Sequence, residues 1–172
     1  MIRLVTVIVL VGLLAVTAAF SMLGIQSDAR RSTLKSIAST MQTTSEIVHT
    51  KAIVSGVTDA CYRYSSPQNQ DPDAEDTQMK EIEGITLCFG YPTGHQENVS
   101  NAFNIDRSKL KLTNTDRLAG HQYGLTAYVS YQKLNHINTQ DSVTPRCYVR
   151  YKDAKTPSGP KIYDVKVVVD EC

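Results

Sequence analysis

The first 55 residues change from an unbroken apolar run to a one-sided apolar stripe, with no turn signal between the two. From Leu4 to Gln26 no residue is ionisable, and Arg3 is the only charged residue before Asp28. As a helix, these 23 residues span ~34 Å, enough to cross the ~30 Å hydrocarbon core of a bilayer. A cleaved secretory signal has a shorter apolar region of ~7–15 residues and a cleavage site after it. The pattern therefore favours a retained membrane anchor.

After residue 26 the apolar positions recur at steps of three and four residues, which is the period of an amphipathic helix. The stripe is formed by Leu34, Ile37, Met41, Thr44 and Val48. Gly56 follows as a stop signal. We therefore predict one helix from about Leu4 to about Val54. Residues 1–26 are its hydrophobic transmembrane or filament-core half, residues 27–55 are an amphipathic half packed on a head, and residues 56–172 form that globular head.

The rest of the chain has strand patterns separated by polar, turn-rich segments, of which 57–82 is the longest. Strands are predicted in 84–91, 123–132, 146–152 and 161–170, which are rich in β-branched and aromatic residues. The turn formers between the last two predict a hairpin. The fold class is therefore α+β, with the long N-terminal helix covering the apolar face of a small antiparallel sheet of about four strands.

The four cysteines all follow the apolar run, at Cys61, Cys88, Cys147 and Cys172. Their spacings of 27, 59 and 25 residues match no zinc motif. An even number of cysteines in a chain that enters or crosses a membrane indicates disulfides in an oxidising compartment. Among the three pairings we favour Cys61–Cys88 and Cys147–Cys172, because each closes a short loop. The second also ties down the C-terminal residue.

No sequence motif points to catalysis. The net charge of +1 gives no reason to expect nucleic-acid binding, and no two histidines stand at metal-ligand spacing. The acidic run at 71–76 lacks the glycine and distal glutamate of an EF-hand, so we interpret it as a solvated loop. Asn98 begins a glycosylation sequon, but that pattern is short and common. We expect no enzymatic activity, metal ion or cofactor.

Several segments resemble one family of filament proteins, the type IV pilins. LVGLLAVTAAFSMLGIQSDARRSTL (10–34) is similar to the pilin N-terminal helix, with Gly12 at the family's mid-helix glycine. A narrower resemblance, to the MSHA (mannose-sensitive haemagglutinin) group, is carried by IQSDARRSTL, VHTKAIVSG (48–56), CFGYPTG (88–94), CYVRY (147–151) and a C-terminal cysteine. On this alignment Arg3 stands where the family has a glutamate, and Phe20 stands where it has a helix-breaking proline.

The resemblance implies a structural subunit that polymerises through its N-terminal helix into a pilus supporting surface adhesion. Its implied partners are identical subunits in a helical homopolymer, inner-membrane lipid before assembly, and the pilus assembly machinery. N-terminal methylation is implied with them. The expected filament-core residues are Arg3, Gly12, Ala15, Ala18, Ala19, Phe20 and Gly24, whose small members allow helices to approach closely.

Arg3 is costly in an apolar core without a partner. We therefore expect it to meet Asp28 of a neighbouring subunit, or another carboxylate such as Glu46 at a larger axial offset.

Two other functions share parts of this pattern. A type II secretion pseudopilin has the same fold, and a single-span membrane sensor or receptor combines an anchor with a small periplasmic domain. Both stay open at the level of sequence. A pilin is expected in the inner membrane before assembly and afterwards on the cell surface.

Overall fold

The structure is a computed structural model that describes residues 2–59, 61, 81–114, 125–135, 143–154 and 161–172, with only the backbone described at 2 and 14–23. Its largest element is helix α1, Ile2–Val54, which confirms the predicted single helix. The helix ends at Val54 and is capped by Gly56, where φ is +67°. Gly56 N–H donates to the Ile53 carbonyl, and Val57 N–H donates to the Ala52 carbonyl. This hydrogen-bond pair is a Schellman cap, which favours glycine at the left-handed position.

The head contains two antiparallel sheets and one short helix. Strands β1 (Glu81–Ile82), β2 (Ile85–Cys88) and β3 (Tyr91–Pro92) form a three-stranded sheet, followed by helix α2 (Gln96–Ala102). Strands β4 (Lys111–Asn114), β5 (Thr126–Ser130), β6 (Cys147–Lys152) and β7 (Asp164–Val169) form a four-stranded sheet in chain order. The fold class is α+β.

The main core lies between α1 and the four-stranded sheet. On the helix, Leu34, Ala38 and Met41 are at most 4% exposed and pack on Val129 and Val149 of the central strands. Val165, Val167 and Val169 of β7, the strand predicted within 161–170, pack against the same cluster. The amphipathic half of α1 therefore covers the sheet as expected.

The outer face of this sheet carries a second, smaller core. Tyr128, Tyr148 and Val168 point away from α1 and pack with Leu134 and Val143. Because β5 is covered on both faces, all five of its residues are buried. Its three central residues are accordingly all apolar or aromatic, without the strict alternation of a strand that has one face in water.

The predicted strand at 84–91 is wrong as a single strand of the main sheet. It is divided into β2 and β3 by a turn at Phe89 and Gly90, where φ is +52° and +82°. A Cβ on Gly90 would lie 2.6 Å from His49 Nδ1, so only glycine fits there. The fourth place in the main sheet belongs instead to β4, which the sequence pattern did not predict.

Asn98 of α2 joins that helix to the three-stranded sheet. Its side chain is 6% exposed, and its Oδ1 accepts from Thr86 N–H at 2.8 Å. Its Nδ2 donates to the Thr86 carbonyl, the Thr93 carbonyl and Thr93 Oγ1 at 2.9–3.1 Å. The sequon at Asn98 is therefore occupied by structural hydrogen bonds, and the folded chain does not present this amide for glycosylation.

Two disulfides join Cys61 to Cys88 and Cys147 to Cys172, the pairing favoured from the sequence. The first bonds the segment after α1 to the buried end of β2. The second bonds the start of β6 to the last residue.

Arg146 holds the same C-terminal segment by hydrogen bonds. Its backbone N–H donates to the carboxylate of Glu171 at 2.8 Å, and its guanidinium Nε donates to Asp170 at 2.9 Å. The terminus is therefore attached to the start of β6 in two ways, by the disulfide and by these polar contacts.

Removing the C-terminal disulfide by Cys147→Ser with Cys172→Ser should lower the free energy of unfolding by ~3 kcal/mol, because the bond closes a loop in the unfolded chain. Denaturant unfolding of the detergent-solubilised chain measures this change. A loss below ~1 kcal/mol would mean that the hydrogen bonds of Arg146 hold the terminus without the bond. Non-reducing peptide mapping of the unaltered chain checks both pairings.

Candidate assembly surface

The N-terminal part of α1 is an apolar arm whose side chains are exposed rather than packed on the head. We define the arm as residues 3–13. Its large apolar side chains are 55–68% exposed: Leu4, Val5, Val7, Ile8, Val9, Leu10, Val11 and Leu13. By contrast, the first buried residue among the described side chains of α1 is Leu34. An exposed apolar surface of this extent marks a site for contact with another protein or with lipid.

The predicted filament-core residues all lie in this half of α1. Arg3 is exposed at the start of the arm. Gly12 and Gly24 lie within continuous helix, and a Cβ added at either would meet none of the described atoms within 4 Å. Ala15, Ala18, Ala19 and Phe20 have helical backbone, and their side chains lie outside the described part of the structure. The helix continues through both glycines, although glycine is the weakest helix former after proline.

The head end of α1 is fixed by a contact that the sequence pattern did not predict. The Tyr163 hydroxyl donates to Glu46 Oε1 at 2.9 Å and lies 3.2 Å from the Gln42 carbonyl oxygen. Tyr163 also packs against the rings of Tyr91 and Tyr151, with centroids 5.0 and 5.9 Å away. This cluster joins α1 to β7 and to the small sheet, so the arm extends from a firmly held helix.

Burial, followed by the hydrogen bond to Glu46, raises the pKa of Tyr163 above its ordinary value. Because the pKa of Tyr163 is higher in the folded than in the unfolded chain, its contribution to the free energy of unfolding is fully present below the unfolded pKa of ~10. That contribution is lost as the pH rises above ~10. Tyr151, Tyr128 and Tyr91 have raised pKa values through burial as well, so they add to the same loss.

Tyr163→Phe should therefore make stability less sensitive to alkaline pH while lowering it by ~1 kcal/mol at neutral pH through the lost hydrogen bond. Denaturant unfolding between pH 7 and pH 11 measures both effects. Tyr131→Phe is the matched control, because Tyr131 lies outside the Tyr163 cluster. An alkaline slope unchanged in Tyr163→Phe would contradict the assignment.

A concavity of about 620 Å³ lies beside the middle of α1. One wall is the helix surface at Ser32, Ser36 and Thr40, and the other is formed by the turn between α2 and β4 together with Tyr131. The Arg30 guanidinium lies 5.7 Å from the centre of the Tyr131 ring. The volume is in the range of small-molecule sites.

Within the described ranges, no group of three or more histidine, cysteine, aspartate or glutamate side chains is placed to hold a metal ion. The acidic run at 71–76 lies outside the described residues. In the part of the chain that is described, no helix meets the length and hydropathy required of a membrane span.

Comparisons of the chain with protein-family models, with curated proteins and with solved structures find no match.

Proposed function

We propose that this protein is the structural subunit of a type IV pilus, most similar to the MSHA group, and that it polymerises through the arm of α1. The observation that carries the proposal is the arm itself. It is a continuous apolar helix that extends, exposed, from a disulfide-closed α+β head. A head of this kind stays folded outside the cell, while the arm requires an apolar environment.

The arm has two such environments in a pilus. Before assembly, lipid of the inner membrane surrounds the run from Leu4 to Gln26, which contains no ionisable residue. After assembly, the arms of identical subunits surround one another in the filament core. Transfer from lipid to a helix bundle exchanges one apolar environment for another, so helix packing rather than the hydrophobic effect decides the balance. Such a transfer is close to balanced, and assembly machinery can drive it.

The role is structural and not enzymatic. The strongly held polar side chains of the head, Asn98 and Tyr163, are occupied by hydrogen bonds within the fold. In the proposed pilus the head forms the outer surface and supports adhesion. The subunit therefore resides in the inner membrane first and on the cell surface after assembly.

Shearing of intact cells tests the proposal. A pilin appears in the sheared fraction as filaments whose subunit runs near the chain mass of 19.0 kDa. A single-span sensor or receptor stays with the membranes and contradicts the proposal. A pseudopilin is distinguished by the absence of long surface filaments at the natural level of expression.

A further inference from the structure

The end of the head nearest the arm carries basic side chains just beyond the uncharged run of α1. That run ends at Gln26, and Arg30 and Arg31 follow four and five residues later, which is ~6–8 Å along the helix. The Arg30 guanidinium lies 5.7 Å from the centre of the Tyr131 ring, and Tyr131 comes directly after β5. Tyr131 therefore marks the end of the four-stranded sheet that lies closest to the arm.

Two lysines stand at this same end of the sheet. Lys111 is the first residue of β4 and is paired in register with Ser130, the last residue of β5. Lys133 follows two residues after Tyr131. Both lysines are exposed, as is Lys35 of α1. We define the basic end as Arg30, Arg31, Lys35, Lys111 and Lys133.

The cations of the basic end are not neutralised within the fold. Within the described residues, ion pairs join other side chains: Lys51–Glu83, Lys109–Asp106, Arg146–Asp170 and Arg150–Asp164. No member of the basic end takes part in one of these pairs, and Arg31 Nε is buried without a hydrogen-bond partner. Asp170 and Glu171, at the same end of the sheet, are bound by Arg146. The basic end therefore concentrates positive charge on a chain whose net charge is only +1.

We infer that the basic end binds the headgroups of anionic phospholipids while the arm lies in the inner membrane. The inference rests on the proposed function, because it names the lipid that the subunit contacts before assembly. With the uncharged run in the hydrocarbon core, the headgroup layer covers the next ~5–8 Å on each side. Arg30 and Arg31 lie at that depth. The Tyr131 ring lies beside Arg30, at the level where tyrosine is enriched in membrane proteins.

The direction of the α1 side chains favours the same contact. In an α-helix each Cα–Cβ bond is tilted toward the N-terminus, and the N-terminal part of α1 is the arm. Arg30, Arg31 and Lys35 therefore lean toward the headgroup layer. A soluble anionic partner does not require cations next to an uncharged apolar run, whereas a bilayer surface meets them there.

This contact links the lipid composition to assembly. Each lysine or arginine close to an anionic membrane surface strengthens binding by about fivefold. The basic end has to leave the headgroups when the arm leaves the bilayer, so anionic lipid makes extraction of the subunit more costly.

Quenching of a label on the head tests the contact in vesicles that hold the full chain. The cysteines of the described residues are all paired, so Gln132→Cys, an exposed position beside Lys133, provides a single thiol for a bimane label. A nitroxide on the lipid headgroups should quench the bimane more strongly in vesicles of phosphatidylcholine with phosphatidylglycerol than in phosphatidylcholine alone. Raising the salt concentration from ~0.1 M to ~1 M should remove the difference, because the Debye length falls from ~10 Å to ~3 Å. Equal quenching in the two kinds of vesicle overturns the inference.

Charge reversal then identifies the residues. Lys111→Glu with Lys133→Glu should lower the ratio of docked to undocked heads at least about tenfold in the anionic vesicles. Lys152→Glu with Lys166→Glu is the matched control, because it changes the net charge equally but lies toward the opposite end of the sheet, where Lys152 pairs with Asp164. The control should keep the quenching of the natural chain. Equal losses in the two variants overturn the assignment to the basic end.

Flotation of the same vesicles separates this inference from the proposed function. A chain that floats with neither kind of vesicle has no arm in lipid, and it contradicts the proposed function as well as the contact. A chain that floats with both kinds, but whose quenching does not depend on phosphatidylglycerol, contradicts the contact of the basic end alone.

Discussion

Gly12→Leu should leave the head folded and the subunit in the membrane, with few or no filaments on the cell. In the single chain a Cβ added at Gly12 would meet none of the described atoms within 4 Å, and Gly12 lies far along α1 from the buried residues of the head, so the head should fold as before. In a bundle of arms the leucine holds neighbouring helices apart, and close approach is what stabilises helix association in an apolar environment. Electron microscopy counts the filaments, and immunoblotting of membrane fractions measures the subunit.

Gly12→Ala is the matched control for this prediction. Alanine favours the helix by ~1 kcal/mol over glycine and adds a single methyl group. It should therefore retain filaments where leucine loses them. Normal numbers of filaments with Gly12→Leu would show that this side of the arm does not pack closely, and the helix-bundle interpretation would fail there.

Asn98→Leu should lower the free energy of unfolding by ~2–4 kcal/mol, the largest effect expected of a single substitution in the head. Leucine has a similar shape but makes none of the hydrogen bonds that the amide makes to Thr86 and Thr93. Those groups lie at the junction of α2 with the small sheet, where Thr93 is buried, so the substitution leaves buried polar groups without a partner. Chemical denaturation of the detergent-solubilised chain measures the change.

Asn101→Leu serves as its control, since Asn101 lies on the same short helix but is exposed. A surface substitution of this kind usually changes stability by less than ~0.5 kcal/mol. If Asn98→Leu and Asn101→Leu lower the free energy of unfolding equally, leucine destabilises α2 at any position, and the proposed role of the buried amide is wrong.

The elements predicted correctly are those in which local periodicity and burial agree. Helix α1 repeats its apolar stripe over many turns. In β7 every second residue, Val165, Val167 and Val169, packs against the core. Helix α2 and strand β4 were missed because they contain seven and four residues, too few to establish a period. The break in 84–91 depends on a positive φ at Phe89, a conformation that phenylalanine rarely adopts and sequence does not suggest.

The candidate assembly surface likewise has a part that the sequence predicts and a part that it does not. The arm was predicted because an uncharged run is visible in the sequence alone. The bond from Tyr163 to Glu46 joins residues 117 positions apart, and no local pattern encodes such a contact.

The bond between Cys147 and Cys172 also determines how the head responds to a pull along the helix. β7 is the end strand of the sheet, and its register pairs Cys147 with Val169 at one end and Lys152 with Asp164 at the other. The chain joins β6 to β7 at the second end, and the disulfide joins them at the first, so the two strands form a covalently closed ring. Tension transmitted from α1 therefore cannot unzip this hairpin from the C-terminus. Separating the two strands along their whole length requires the disulfide to break as well as the hydrogen bonds between them.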